Sequence, residues 1–207
     1  MGKKLFGATV LAFVLGATPA FGQLPGLELE PFLGAYIPTQ DIVDQDIPLV
    51  GSVQGSQKEA FAAGARLTAW LAGPLGVEGT FTYAFSDAEN LGAVTADQSA
   101  GVWMGSGRVI LKLLPGPVGV HATGGVALIG RTGDAYNDVT EGETDLGGVV
   151  GLGLRFKLPG IFAIRGDVDA FGYETQFTGD FGGTTLETEG QFQVDVVASV
   201  GLIIGLM

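Results

Sequence analysis

The sequence has no cysteine, a single histidine and, past its first 22 residues, no uninterrupted apolar stretch near the ~20 residues that a membrane-crossing helix needs. The first absence removes disulfides as a means of holding the chain together. The second leaves His121 as the one imidazole available for acid–base or nucleophile-assisting chemistry. The third excludes a helical span. Basic residues are scarce as well, with 10 Lys and Arg against 22 Asp and Glu and a net charge of −12. Nucleic acid demands a basic surface, so that class of partner is excluded.

What the chain holds in quantity is hydrophobicity and glycine. Hydrophobic residues make up 46%, mean hydropathy is +0.39, and 36 glycines are spread without a collagen-like period. High hydropathy without a spanning helix has a familiar resolution. In a membrane barrel only alternate residues meet lipid, so the hydrophobicity is divided into period-two pieces.

The N-terminus gives a destination. Lys3 and Lys4 precede the uncharged run LFGATVLAFVLG at 5–16, and small residues follow through Gly22. Basic start, short apolar run and small residues together predict a secretory signal peptide over 1–22, cleaved after Gly22 or after Ala20. A run of 12 residues is too short for a membrane anchor. Residues 23–207 are then one domain, and removing the two lysines makes its net charge −14.

Three segments of that domain resemble one another: LAGPLGV at 71–77, LLPGPVGV at 113–120 and KLPGIFAI at 157–164. Each is a Pro/Gly turn between alternating apolar runs, which is a hairpin signal. Between them lie long polar stretches near 40–57, 88–100, 131–145 and 175–188, read as solvated loops. Three tight turns alternating with four loops predict eight strands, near 27–39, 58–72, 75–87, 101–114, 118–130, 146–158, 161–174 and 189–206. Short turns on one side and long loops on the other are the layout of an outer-membrane barrel.

Each predicted strand has two chemically distinct faces. Leu75, Val77, Phe81, Tyr83 and Phe85 oppose Glu78, Thr80, Thr82 and Ser86. Leu146, Val150, Leu152, Leu154 and Phe156 oppose Gly151, Gly153, Arg155 and Lys157. Alternation alone does not say which face is outside, and a soluble lipocalin-like carrier would point the apolar set inward. The membrane arrangement is preferred because the polar faces carry too few charges for a solvated exterior. An eight-stranded interior also has little room for so many Phe, Leu and Ile side chains.

With the polar face inside, its ionisable residues form a balanced set: Arg66, Arg108, Lys112, Arg155, Lys157 and Arg165 against Glu28, Glu30, Glu78, Asp167, Asp169 and Asp195. Buried charges are costly unless paired, so six facing six predicts a network filling the lumen. Hairpin pairing sets Lys112 opposite His121 and Arg155 diagonal to Asp167. The remaining acids lie in or beside the loops, offset there by Lys58 and Arg131. Neither Asp134/Asp138/Glu141 nor Asp41/Asp44/Asp46 has the spacing of a calcium loop, so solvated loops are preferred to a metal site. No cofactor is expected.

Catalytic chemistry finds little footing. His121 belongs in the lumen near the short-turn end, and no nucleophile motif surrounds Ser106 or Ser199. A packed histidine is the simpler reading. Gly147, Gly148, Gly151 and Gly153 lack the strand–helix unit of a nucleotide loop and more simply make room for large lumen neighbours or allow curvature. Trp70, Trp103, Phe85, Phe171 and Tyr173, near strand ends, are candidates for an interfacial aromatic girdle, although ordinary packing accounts for each individually.

Strand number, one-sided loops, the leader and the terminal strand QVDVVASVGLIIGLM give a sequence that resembles the small eight-stranded outer-membrane barrels typified by the OmpA transmembrane domain and OmpX, across residues 23–207. The family usually ends in an aromatic residue, whereas this chain ends in Met207, and no peptidoglycan-binding domain follows. The resemblance implies an all-β, eight-stranded, antiparallel up-and-down transmembrane barrel in the outer membrane. It also implies contact with outer-membrane lipid and lipopolysaccharide, insertion by the barrel-assembly machinery, and a monomer. The expected function is a non-enzymatic structural or surface-contact role. A narrow channel for small or hydrophobic solutes, similar to OmpW-type barrels, is the alternative.

Overall fold

The computed structural model describes residues 26–39, 43–47, 51–89, 98–133, 144–175, 178–181, 184–187 and 191–206. The leader expected over 1–22, Met207, and Asp41, Asp134, Asp138 and Glu141 of the acidic loops lie outside these residues. So do the side chains of Asp44 and Asp46.

Eight long strands close into one antiparallel barrel: β1 (Leu27–Pro38), β2 (Ala60–Ala72), β3 (Leu75–Ala84), β4 (Gly101–Leu114), β5 (Val118–Thr132), β6 (Thr144–Lys157), β7 (Phe162–Thr175) and β8 (Gln191–Gly205). Each pairs with its chain neighbour, and β1 pairs with β8 to complete the ring. The three tight turns hold glycines with positive φ: Gly73 at 56°, Gly116 at 143° and Gly160 at 80°. Side chains rarely adopt that backbone, which is why the repeated segments keep glycine at the corner.

The eight strand positions agree with the sequence reading to within a few residues, but the polar stretches hold more order than expected. Short strands at Val43–Ile47, Gly51–Gln57, Asp87–Glu89 and Gln98–Ser99 form a four-stranded sheet beyond the barrel, and Thr178–Phe181 pairs with Thr184–Glu187. These segments satisfy backbone hydrogen-bonding groups by pairing with one another rather than only with water.

Period-two alternation decides which side faces what. Leu33, Phe61, Phe81, Val109, Val126, Val150, Val168 and Val200, one from each strand, are 51 to 64% exposed. Residues of the opposite parity, among them Arg66, Glu78, Arg108, Asp167 and Asp169, are buried inside. An apolar belt encircling the whole molecule is lipid-facing surface, since water would not tolerate a patch of that extent.

One strand departs from regularity. Leu29 pairs with Ile204 and Phe32 with Gly201, yet the two intervening positions on the β1–β8 seam are unpaired while the register is kept. Pro31 accounts for the gap. Leu27 shares its parity and accepts a hydrogen bond from Leu206 of the C-terminal end, so the backbone of Pro31 faces the same side without an N–H to offer.

Candidate functional site: the lumen

The lumen is stratified along its axis. At mid-height lies the charged layer. Arg66 enters from β2 and is 1% exposed. Its Nη1 donates to Glu30 Oε1 at 2.7 Å and lies 3.3 Å from Asp167 Oδ2. Its Nη2 donates to Ser199 Oγ at 2.8 Å and to Asp169 Oδ2 at 3.2 Å. Phe32 lies beneath the guanidinium, 4.1 Å from ring centroid to Cζ. Arg108 donates from Nη1 to Asp169 Oδ1 at 2.7 Å and from Nε to Ser106 Oγ at 2.8 Å. Arg165 donates from Nη1 to Glu78 Oε2 at 2.5 Å and from Nη2 to Asp167 Oδ1 at 3.0 Å. Three guanidiniums are thus interleaved with four carboxylates, all buried, and they link five strands across the bore. Planar guanidinium forks suit this arrangement because each can serve two or three carboxylates at once.

His121 lies beside this layer, its Nε2 2.7 Å from Asp167 Oδ1. It is directly opposite Lys112, in the register expected from the hairpin. Glycines create the space: a Cβ on Gly153 would run into Asp167 and His121, one on Gly151 into Asp169, and one on Gly201 into Glu30.

Above the charges, toward the long loops, the lumen is apolar. Met104, Ile129, Val149, Phe171 and Val197 are buried against Ala62, Ala84 and Ala127. This layer is capped by polar groups. Tyr36 and Tyr173 both donate their hydroxyls to Asp195 Oδ2, at 2.8 and 2.6 Å. Arg131, 5% exposed, donates to Asp145 at 2.7 Å with its guanidinium 5.5 Å from the Tyr173 ring centroid.

Below the charges, at the short-turn end, Arg155 makes a bidentate pair with Glu28 at 2.8 and 2.9 Å. The register sets Arg155 diagonal to Asp167, as hairpin pairing implies, but no ion pair joins them. Arg155 lies directly opposite Arg165, which together with His121 already occupies Asp167, so repulsion and competition turn Arg155 across the bore. Lys112 and Lys157 stand outside the network: Lys112 places its Nζ 3.4 Å from the Trp70 ring centroid, and Lys157 is exposed at the mouth.

Three of the aromatic residues read as girdle are lumen residues. Trp70, Phe171 and Tyr173 are 7, 1 and 3% exposed, because each shares strand parity with an inward charge, Arg66 or Asp169. Phe85 does face outward, stacked with Phe61 and edge-on to Tyr83, and Trp103 covers Gly130 on the outer wall. Arg131, whose polar surroundings suggest a loop, is an inward residue of β5. Its signal was the even spacing of ten residues from His121.

No curated protein sequence matches the chain. Among solved structures, the outer membrane protein OprG from Pseudomonas aeruginosa superposes with a TM-score of 0.63 at 15% identity, covering 89% of this chain and 98% of that one. The outer membrane protein AlkL, determined in lipid bilayers, gives 0.65 at 13% identity, covering 91% and 94%. Neisserial surface protein A gives 0.58 at 9% identity, covering 86% and 96%. At these identities the likeness is one of fold, an integral barrel of the outer membrane. The sequence model of the outer membrane protein beta-barrel domain matches residues 8–199, nearly the whole chain. With the closed eight-stranded barrel, its lipid-facing belt and its polar bore, this places the protein in the outer membrane as a member of the outer membrane protein beta-barrel domain family.

Proposed function

We propose that this barrel is a non-enzymatic envelope component, closed to bulk solute flow, with a structural or surface-contact role. The observation that carries the reading is the charged layer at mid-height. Arg66, Arg108 and Arg165 with Glu30, Glu78, Asp167 and Asp169 cross the bore at hydrogen-bond distances, with side chains at most 3% exposed. A hydrated ion passing that level would have to separate several charge-assisted bonds in a low-dielectric interior, each of them among the stronger kinds of hydrogen bond. Eight strands leave an interior just wide enough for side chains to fill.

A second reading has one observation in its favour. The layer of Met104, Ile129, Val149, Phe171 and Val197 above the charges is apolar, which suits a small hydrophobic solute entering from the loop end. Planar-bilayer recording separates the two. The purified barrel is expected to give no sustained open-channel current in 1 M KCl, and Arg66→Ala with Arg108→Ala to raise the frequency of opening. Stable conductance steps from the unmodified chain would overturn the closed reading. A silent barrel that nonetheless speeds transfer of a hydrophobic dye into vesicles would favour the second.

A further inference from the structure

At the short-turn end, below the charged layer, the bore opens into a cavity of about 230 Å³. Its wall includes Lys112, His121, Arg155, Lys157 and Arg165, against Glu28 as its one carboxylate. Two of the cations are already neutralised. Arg155 is held by Glu28, and Arg165 by Glu78 and Asp167. Lys112 and Lys157 are different: among the described residues no carboxylate lies within salt-bridge distance of either. A half-buried ammonium resting on the Trp70 ring, in a cavity where Lys112, Lys157, Arg155 and Arg165 face Glu28 alone, is a local excess of positive charge inside a protein of net charge −12. The strand irregularities at Trp70/Ala72 and Lys112/Leu114 fall beside these residues, as bulges do at barrel rims where a side chain is re-aimed.

We infer that this vestibule is a binding site for a small anion bearing a phosphate group, held between Lys112 and Lys157 and taken from the periplasmic side. The cavity sets the size class. It is smaller than the ~300–1,000 Å³ of pockets for drug-sized ligands, and at about 30 Å³ per water it holds one small anion with a partial hydration shell. Low-dielectric walls on either side strengthen the attraction over that of two surface lysines. The charged layer above closes the inner end, so the site is a cup rather than a way through. Binding here does not depend on whether that layer conducts.

The phosphate could be free in the periplasm or carried by a lipid headgroup of the inner leaflet. Trp70 supplies a reporter, since an anion drawing Lys112 off its ring alters indole emission. Trp103, on the outer wall, is the only other tryptophan. The experiment therefore uses the full barrel with Trp103→Phe, its folding checked by the heat-dependent shift in gel mobility. Inorganic phosphate is titrated against chloride at matched ionic strength in zwitterionic micelles. The same emission is then followed in phosphatidylcholine vesicles with and without phosphatidylglycerol. A saturable phosphate-specific change, weakened at least tenfold by Lys157→Met, which leaves the Lys112–Trp70 reporter in place, is the expected result. A change confined to phosphatidylglycerol vesicles and abolished by Lys157→Met assigns the site to a lipid phosphate. Identical phosphate and chloride curves with no effect of phosphatidylglycerol, or a phosphate response unaltered by Lys157→Met, would overturn the inference.

Discussion

At the residue scale, position along the bore decides what an ion pair contributes. Arg66 and Arg155 both contact glutamates of β1, but Arg66 has a fully buried side chain serving three carboxylates, whereas Arg155 is a quarter exposed and serves one. Removing Arg66 leaves two guanidiniums for four buried carboxylates and strands the charge of Glu30, whose remaining contact is Arg165 at 3.4 Å; breaking a buried pair from one side costs about 3–5 kcal/mol. Arg155 is screened by water at the mouth, where such pairs contribute about 0–1 kcal/mol. Urea titration of the barrel in lipid vesicles is therefore expected to show Arg66→Met far less stable than the parent and Arg155→Met close to it. Adding Glu30→Gln to Arg66→Met is expected to recover part of the loss, because the stranded charge is the source of the penalty. Equal destabilisation by the two arginine substitutions would mean that depth in the bore does not govern these pairs. Much of this layer was legible beforehand: Arg66, Arg108, Arg165, Glu30, Glu78, Asp167, Asp169 and His121 all have inward parity on alternating strands. The actual partners were not legible, because Arg155 meets Glu28 across the bore and no pattern along a strand encodes distance across a barrel. Parity alone puts Lys112 and Lys157 into the balance. The structure leaves them outside because the nearest carboxylates are already occupied.

At the scale of elements, the strands were readable because two independent signals coincide. Pro/Gly corners at Gly73, Gly116 and Gly160 mark where strands end, and alternation over more than ten residues marks their extent. The strands in the loops were not readable, since polar, acidic sequence carries the same composition whether it is paired or irregular. Only some of the aromatic residues near strand ends lie on the outer wall, for a related reason. Nearness to a strand end suggested the membrane interface, whereas parity, the stronger constraint, puts Trp70 beside Arg66 and Tyr173 beside Asp169. Pro31 is the one element-level conflict, a proline inside a strand that a closed barrel cannot treat as an edge. Its seam joins the first and last strands, so two β1–β8 positions are unpaired where the barrel closes. Pro31→Val supplies the missing N–H and a side chain suited to the lipid face, and a recovered backbone bond contributes about 0.5–1.5 kcal/mol. The variant is expected to need a higher temperature for its gel-mobility transition. Unchanged or lowered temperature would mean that the gap at this seam does not limit stability.

For the whole molecule, the same side chains that would be a liability in water form its outer surface. Leu152, on the outer face midway along β6, is 61% exposed, and Leu146, near the loop end of the same strand, is 73% exposed. By exposure alone the two are alike, and in a soluble barrel a charge at either would be harmless. In a bilayer they sit at different depths. An arginine near the midplane of a membrane barrel costs about 2–4 kcal/mol and one near the interface about 0–1. Leu152→Arg is therefore expected to fold poorly into phosphatidylcholine vesicles and to unfold at markedly lower urea, while Leu146→Arg behaves almost as the parent. The lumen supplies the control. The outward residues ring the barrel without touching the charged layer, so Leu152→Arg is expected to leave the bore closed in bilayer recordings wherever it does insert. Loss of stability graded by depth, with the bore unchanged, would separate the two halves of this design: the apolar belt answers to the lipid, and the charged layer stands independent of it. Equal tolerance at both positions would place the apolar belt of β6 outside the hydrocarbon region and require the barrel to sit differently in the membrane.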